Sequence, residues 1–204
     1  MDTLDLHCSI FGLMPDPLYA PNETACCLLP GLNKWRVIEC PWEVYASTLL
    51  VAGTSDDPAY TEDEIRIYLD VGILRDFSFQ GYAAHTPGQM AWLVKKIKKQ
   101  EGIMQVILTT AAYHLPRCAL TFAKEWLKNG KPKQKFHFAC IPMIAGRTGE
   151  KFLTGFTSDA EFADKATRGS SQTVASEIAR IEAYQKKGDV ATAEEFAQFL
   201  DMIS

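Results

Sequence analysis

The chain has 204 residues, 47% of them hydrophobic, and a formal net charge of −4 at pH 7. That length suits one domain with room for a sheet covered on both faces, and the apolar content excludes a disordered chain. The acidic balance argues against nucleic acid or an anionic membrane surface as a partner, since both call for a basic patch. In chain order, the opening Met-Asp-Thr-Leu-Asp has neither the basic start nor the apolar core of a signal peptide. No run approaches 18 consecutive apolar residues, so no membrane span is expected. Residues 6–13 are apolar enough for a first buried strand, ending at Gly12. A proline-rich loop follows over 14–21. Asn22 is placed to cap a short helix over 22–29, stopped by Pro30-Gly31. Residues 32–45 give mixed periodicity interrupted by Pro41 and predict no element.

Residues 48–53 predict the second strand, and Thr54-Ser55-Asp56-Asp57-Pro58 the turn after it. A glycine and polar turn behind a buried strand can present N–H groups to a phosphate or carboxylate, which makes Gly53, Thr54 and Ser55 candidate ligand contacts. Turn and cap chemistry accounts for Asp56 and Asp57 equally well. There is no G-x-G-x-x-G and no Walker lysine, which argues against the usual dinucleotide and P-loop sites. Thr61-Glu62-Asp63-Glu64 forms a capping box for a helix ending at Gly72. Residues 76–80 alternate polar residues with Phe77 and Phe79, as an edge strand would. Thr86 can then cap, and Pro87 open, a helix whose apolar face is Met90, Leu93, Val94 and Ile97. The lysine run at 95–99 falls on the outer face of that helix and reads as solvated surface.

Residues 105–110 are a short apolar, β-branched run suited to a strand buried on both faces. From Leu115 the period changes, and Leu115, Cys118, Ala119, Phe122, Ala123, Trp126 and Leu127 mark one face of a helix. Pro116 fits its first turn and Gly130 its stop. The turn between strand and helix holds Thr110, Tyr113, His114 and Arg117 at a strand's carboxyl end, where open α/β sheets bind ligands. A cation in a first helical turn opposes the helix dipole by roughly 0.3–1 kcal/mol, so Arg117 needs an offsetting negative charge. A bound anion would supply it, and so would a nearby Asp or Glu that merely fixes the loop. Residues 136–143 predict a fifth strand, and 144–169 a glycine-rich, charged connection that could cover the strand ends. Val174, Ile178 and Ile181 give a helical face ending near Gly188. Thr192-Ala193-Glu194-Glu195 caps a last helix carrying Phe196, Phe199, Leu200 and Ile203.

The stretch Thr-Thr-Ala-Ala-Tyr-His-Leu-Pro-Arg at 109–117 resembles the signature of the YdcF, SanA and ElyC family of bacterial proteins, in which a Thr/Ser-rich turn leads into Tyr-His-x-x-Arg and a helix. Residues 49–54 resemble the family's strand ending in glycine, 61–72 its next helix, and Gly188-Asp189-Val190-Ala191 a step near its C-terminus. His85-Thr86 resembles its Asn-Thr turn. Where relatives show Thr-x-Glu-Asn, this chain has Thr86-Pro87-Gly88-Gln89, so a carboxylate is missing and an amide, Gln89, remains. The resemblance covers residues 49–200 and implies a single domain over 1–204, with C-terminal helices in 171–203 packed on it. It also implies a small-molecule ligand, with S-adenosylmethionine as a candidate, held near His85, Thr86, Gln89, Thr110, Tyr113 and Arg117.

The expectation is a three-layer α/β/α domain with a Rossmann-like, mostly parallel sheet of about five strands. It would bind a small anionic or adenosine-containing molecule at the strand ends. His114 is the one candidate catalytic residue, an imidazole able to move a proton. With that role the chain would be a hydrolase or transferase acting on a phosphorylated or cell-envelope precursor. Without it, His114 fixes a turn. A third reading is a regulatory or scaffold protein. His7 and His137 are expected within strands as structural residues. With no H-x-x-x-H, H-E-x-x-H or C-x-x-C, no metal is expected. The six cysteines fall mostly in apolar runs and read as reduced, buried thiols of a cytoplasmic protein.

Overall fold

A computed structural model describes residues 3–30, 46–53, 61–69, 76–81, 83, 85–130, 134–143 and 174–204. Five strands, β1 (Thr24–Leu28), β2 (Thr48–Val51), β3 (Asp76–Phe79), β4 (Gln105–Ala111) and β5 (His137–Met143), form one sheet. The order is β3-β2-β1-β4-β5 and every neighbouring pair is parallel. The register sets Cys27 beside Leu50 on one side and Leu108 on the other. β1, β2 and β4 are buried along their whole length, as parallel strands covered on both faces must be. β3, partly exposed throughout, is an edge, as its alternation predicts.

The described helices are α1 (Thr3–Ile10), α2 (Glu62–Leu69), α3 (Thr86–Ile97), α4 (Leu115–Asn129), α5 (Val174–Lys187) and α6 (Ala193–Ile203). One apolar cluster joins Ala25, Cys27, Leu50, Val106 and Leu108 on one sheet face to side chains of α1, α3, α4, α5 and α6. A second joins Cys26, Leu28, Leu49 and Val51 on the opposite face to Ile65 of α2. Helices on both faces of a parallel sheet make the three-layer Rossmann-like fold. At its fuller end, Phe122 and Trp126 of α4 meet Phe136, Phe138 of β5 and Phe199 of α6. Ring centroids there are 5.2 Å apart for Phe122 and Phe138 and 4.9 Å for Trp126 and Phe136. No described helix is long and apolar enough to cross a membrane.

Two elements depart from the sequence reading. Residues 6–13 do not form the first strand; 3–10 form α1, whose Leu6, His7 and Ile10 point inward together at helical spacing. His7 therefore lies on a helix, whereas His137 does begin β5 as expected. Residues 22–29 are not a helix; a 3₁₀ turn over Pro21–Glu23 leads into β1. Asn22 caps nothing. The strand wins because its place between β2 and β4 buries both of its faces. A smaller shift concerns α3, where His85 is the cap and Thr86 the first helical residue. Cys8 is exposed, whereas Cys26, Cys27, Cys118 and Cys140 are buried, with burial pushing the Cys27 and Cys140 thiols up, and none of the five is in a disulfide. The expectations for 32–45, Thr54 to Pro58, Gly72 and 144–169 lie outside the described residues.

The chain after α1 runs along the outer side of β5. Leu13 accepts a hydrogen bond from the Cys140 N–H at 2.7 Å, and Met14 one from His137 Nε2 at 2.8 Å. Tyr19 stacks on the His137 ring, and Asp16 donates its N–H to Gln105 Oε1 at 2.7 Å. Residue 142 faces the same way as Cys140, and as a proline it has no N–H to offer outward.

Candidate functional site

The strand order reverses between β1 and β4, which places a topological switch point at their carboxyl ends. Two hydrogen bonds close the seam there: Leu29 N–H to Thr109 O at 3.0 Å, and Thr110 Oγ1 to Leu29 O at 2.8 Å. Thr110 is thus spent on the sheet and fully buried, and Tyr113 is buried too, its ring 6.2 Å from that of His114. Neither presents a surface.

Beyond β4 the chain turns through His114, the residue at the N-cap of α4, whose side chain makes no capping bond. Arg117 sits one turn in. Its Nε donates to Glu177 Oε2 at 2.7 Å, one terminal nitrogen donates to Thr86 Oγ1 at 3.3 Å, and the other lies 3.0 Å from His114 Nδ1. Arg180 donates to the second oxygen of Glu177 at 2.7 Å. The Tyr184 ring lies 5.8 Å from the Arg117 guanidinium carbon, within cation–π range. So α5 delivers a carboxylate, a second guanidinium and an aromatic ring to the helix start that carries the Tyr-His-x-x-Arg stretch. The offsetting negative charge that Arg117 requires is this carboxylate, the loop-fixing arrangement among the two expected.

The Glu177 side chain is 0% exposed. Burial alone would push its carboxyl up, but hydrogen bonding and charge from His114 and Arg117 outweigh that and hold it well below the ordinary carboxylate range. The same pairing raises Arg117 although burial opposes its charge. Burial pushes the His7 imidazole down against an opposing pull from Glu177. Its Nδ1 is buried without a hydrogen-bond partner. Among the described residues, two guanidiniums, Arg117 and Arg180, pair with the single carboxylate of Glu177.

The remaining candidates form a second group one turn along α3. Gln89 Nε2 donates to Ala52 O at 3.2 Å and to Gly53 O at 3.1 Å, tying the helix to the end of β2. Gly53 has φ +60, and a Cβ there would fall 2.6 Å from Gln89 Cγ and Nε2, so the close approach requires glycine. His85 caps α3, its Nδ1 accepting the Gly88 N–H at 3.1 Å. A Cβ at Gly88 would press on that ring, at 3.1 Å from Cε1. The structure therefore unites Thr86, His114 and Arg117 directly, and Gly53 and Gln89 directly, with α3 joining the groups. Thr54 and Ser55 lie outside the described residues. Among the described residues no group of His, Cys, Asp or Glu could hold a metal ion.

Sequence reasoning missed Glu177, Arg180 and Tyr184. The signal was present: Val174, Ile178 and Ile181 mark an apolar face, and Glu177 falls on it. A carboxylate on a buried face implies a partner. Compared with protein-family models, curated proteins and solved structures, the chain matches none.

Proposed function

We propose that this chain is a YdcF-like domain that binds a small anionic or adenosine-containing molecule at the carboxyl ends of its strands, S-adenosylmethionine being one candidate. The observation that carries the reading is the pairing of two guanidiniums, Arg117 and Arg180, with the one carboxylate of Glu177 among the described residues, beside the switch point of a Rossmann-ordered sheet. The Thr86 hydroxyl and His114 imidazole beside it are groups that orient a polar ligand. Buried cysteines outside any disulfide accord with a cytoplasmic setting.

Thermal melts with phosphate, nucleotides and S-adenosylmethionine test it, because binding to the native state alone raises the melting temperature. A saturable rise with one class identifies the ligand class, and native mass spectrometry of the purified protein would show a molecule carried through. No response to the whole panel would refute the reading and leave the regulatory or scaffold role. The hydrolase or transferase reading rests on His114 at the same cluster. Turnover of a phosphoester panel that His114→Ala abolishes would select it.

A further inference from the structure

The eight-residue helix α1 is too short to be more than marginal in water by itself, so its helicity depends on docking. It docks on α4 and α5 through Leu6, His7 and Ile10, which are 1%, 3% and 0% exposed. The His7 ring lies 5.6 Å from that of Phe11, and its Nδ1 is buried with no hydrogen-bond partner. A neutral ring tolerates that setting. Protonation would place a charge there, and a donor with nothing to meet, at far greater cost. Among the described residues, Glu177 of α5 is the charged group whose field reaches His7, and it favours the imidazolium, but burial outweighs its pull. Arg117 of α4 and Arg180 of α5 already pair with that carboxylate, and Asp5 on α1 itself is exposed. Three residues beyond the helix the chain is fixed again. Leu13 O takes the Cys140 N–H, Met14 O meets His137 Nε2, and the Asp16 N–H meets Gln105. A carbonyl only accepts, so His137 donates through Nε2 whether its ring is neutral or protonated, and this clip survives acid. Gly12 lies between helix and clip, where glycine gives the backbone its widest range.

We propose that α1 is an acid-released flap: with His7 neutral it docks on α4 and α5, and with His7 protonated it swings out about Gly12 while the chain from Leu13 onward stays on β5. An imidazole harder to protonate when docked than when free contributes docking stability that is complete above about pH 6.5, its ordinary value, and is lost as pH falls through the lowered one. Glu177 keeps its charge over that range, because its carboxyl is held well below the ordinary carboxylate range. The flap leans on α5, the helix that brings Glu177, Arg180 and Tyr184 to the candidate site. Its release does not depend on what that site binds.

Hydrogen exchange of the whole protein tests this, read on peptides from α1 with β4 as the internal reference and each rate divided by its intrinsic value. Between about pH 7.5 and pH 5.5, α1 should lose protection several-fold and at most about tenfold, the ratio of charged to neutral imidazole one unit below its ordinary pKa. β4 should keep its protection. His7→Met should match wild type at the higher pH and stay protected at the lower. His7→Arg carries the charge at both, so its α1 should be open at both. Wild-type protection of α1 that does not change with pH, or a loss that persists in His7→Met, would overturn the proposal. So would a His7→Met helix already open at the higher pH, which would mean that α1 docks through the imidazole's own contacts, or an α1 that stays docked in His7→Arg.

Discussion

At the scale of single residues, Arg117 changes meaning once Glu177 is in view. A cation kept only for a bound anion could be removed without harm to the ligand-free protein. One that neutralises a fully buried carboxylate cannot. Arg117→Ala should lower the stability of the free protein by about 3 kcal/mol, the lower end of the cost of breaking a buried pair, because Arg180 still faces Glu177. Urea denaturation checks this; an unchanged midpoint would contradict the pairing. Glu177 also gives the protein an acid dependence. Its carboxyl is held below its unfolded value, so it contributes stability that is complete above about pH 4.3, the ordinary Glu value, and is lost as pH falls toward the depressed one. Glu177→Gln should therefore be the less stable protein at pH 7, and the gap to wild type should narrow at pH 3. Midpoints measured at the two pH values decide it, and a gap that stays constant would speak against the charged pair.

At the scale of elements, the tightest junction is where α3 meets the end of β2. Gly53→Ala should cost roughly 1–2 kcal/mol for the left-handed backbone alone, and more because Gln89 must also move. Gly102 has φ +79 and open space around it, so Gly102→Ala gauges the backbone part by itself. Equal losses in the two variants would mean that the Gln89 contact matters little. Gly53 was legible in the sequence as a turn residue, but the Gln89 contact was not, since it joins positions 36 residues apart. The same divide runs through the fold. Helices with long apolar faces, such as α4 and α6, and the β-branched strand β4 were legible because local pattern and final environment agree. Residues 6–13 and 22–29 were not. Both are short apolar runs, for which periodicity cannot separate a buried strand from a buried helix. Ala25 to Leu29, bounded by prolines at 21 and 30, was the better strand, yet only its position in the sheet decides that. At the site, the Tyr113-His114-Arg117 turn was visible and its α5 partners were overlooked, because a pairing across 60 residues leaves only a misplaced carboxylate as its trace.

At the scale of the whole molecule, the order of the described strands places β3 at one edge and β5 at the other, and the two differ. β3 is four residues long and partly polar. β5 is seven residues long and apolar, and it relies on the chain after α1 and on Pro142. A bare row of donors and acceptors on such a strand is a template on which another unfolding or folded chain can add. Pro142 leaves one outward position of this edge without an N–H to offer a second chain. Pro142→Val would restore an outward N–H and add a strong strand former, with little change in the unfolding midpoint. Light scattering against protein concentration should nevertheless rise earlier for the variant than for wild type, and coincident curves would show that this edge is closed without the proline. The fold would survive the substitution; what would change is how readily a second chain can lie along its edge.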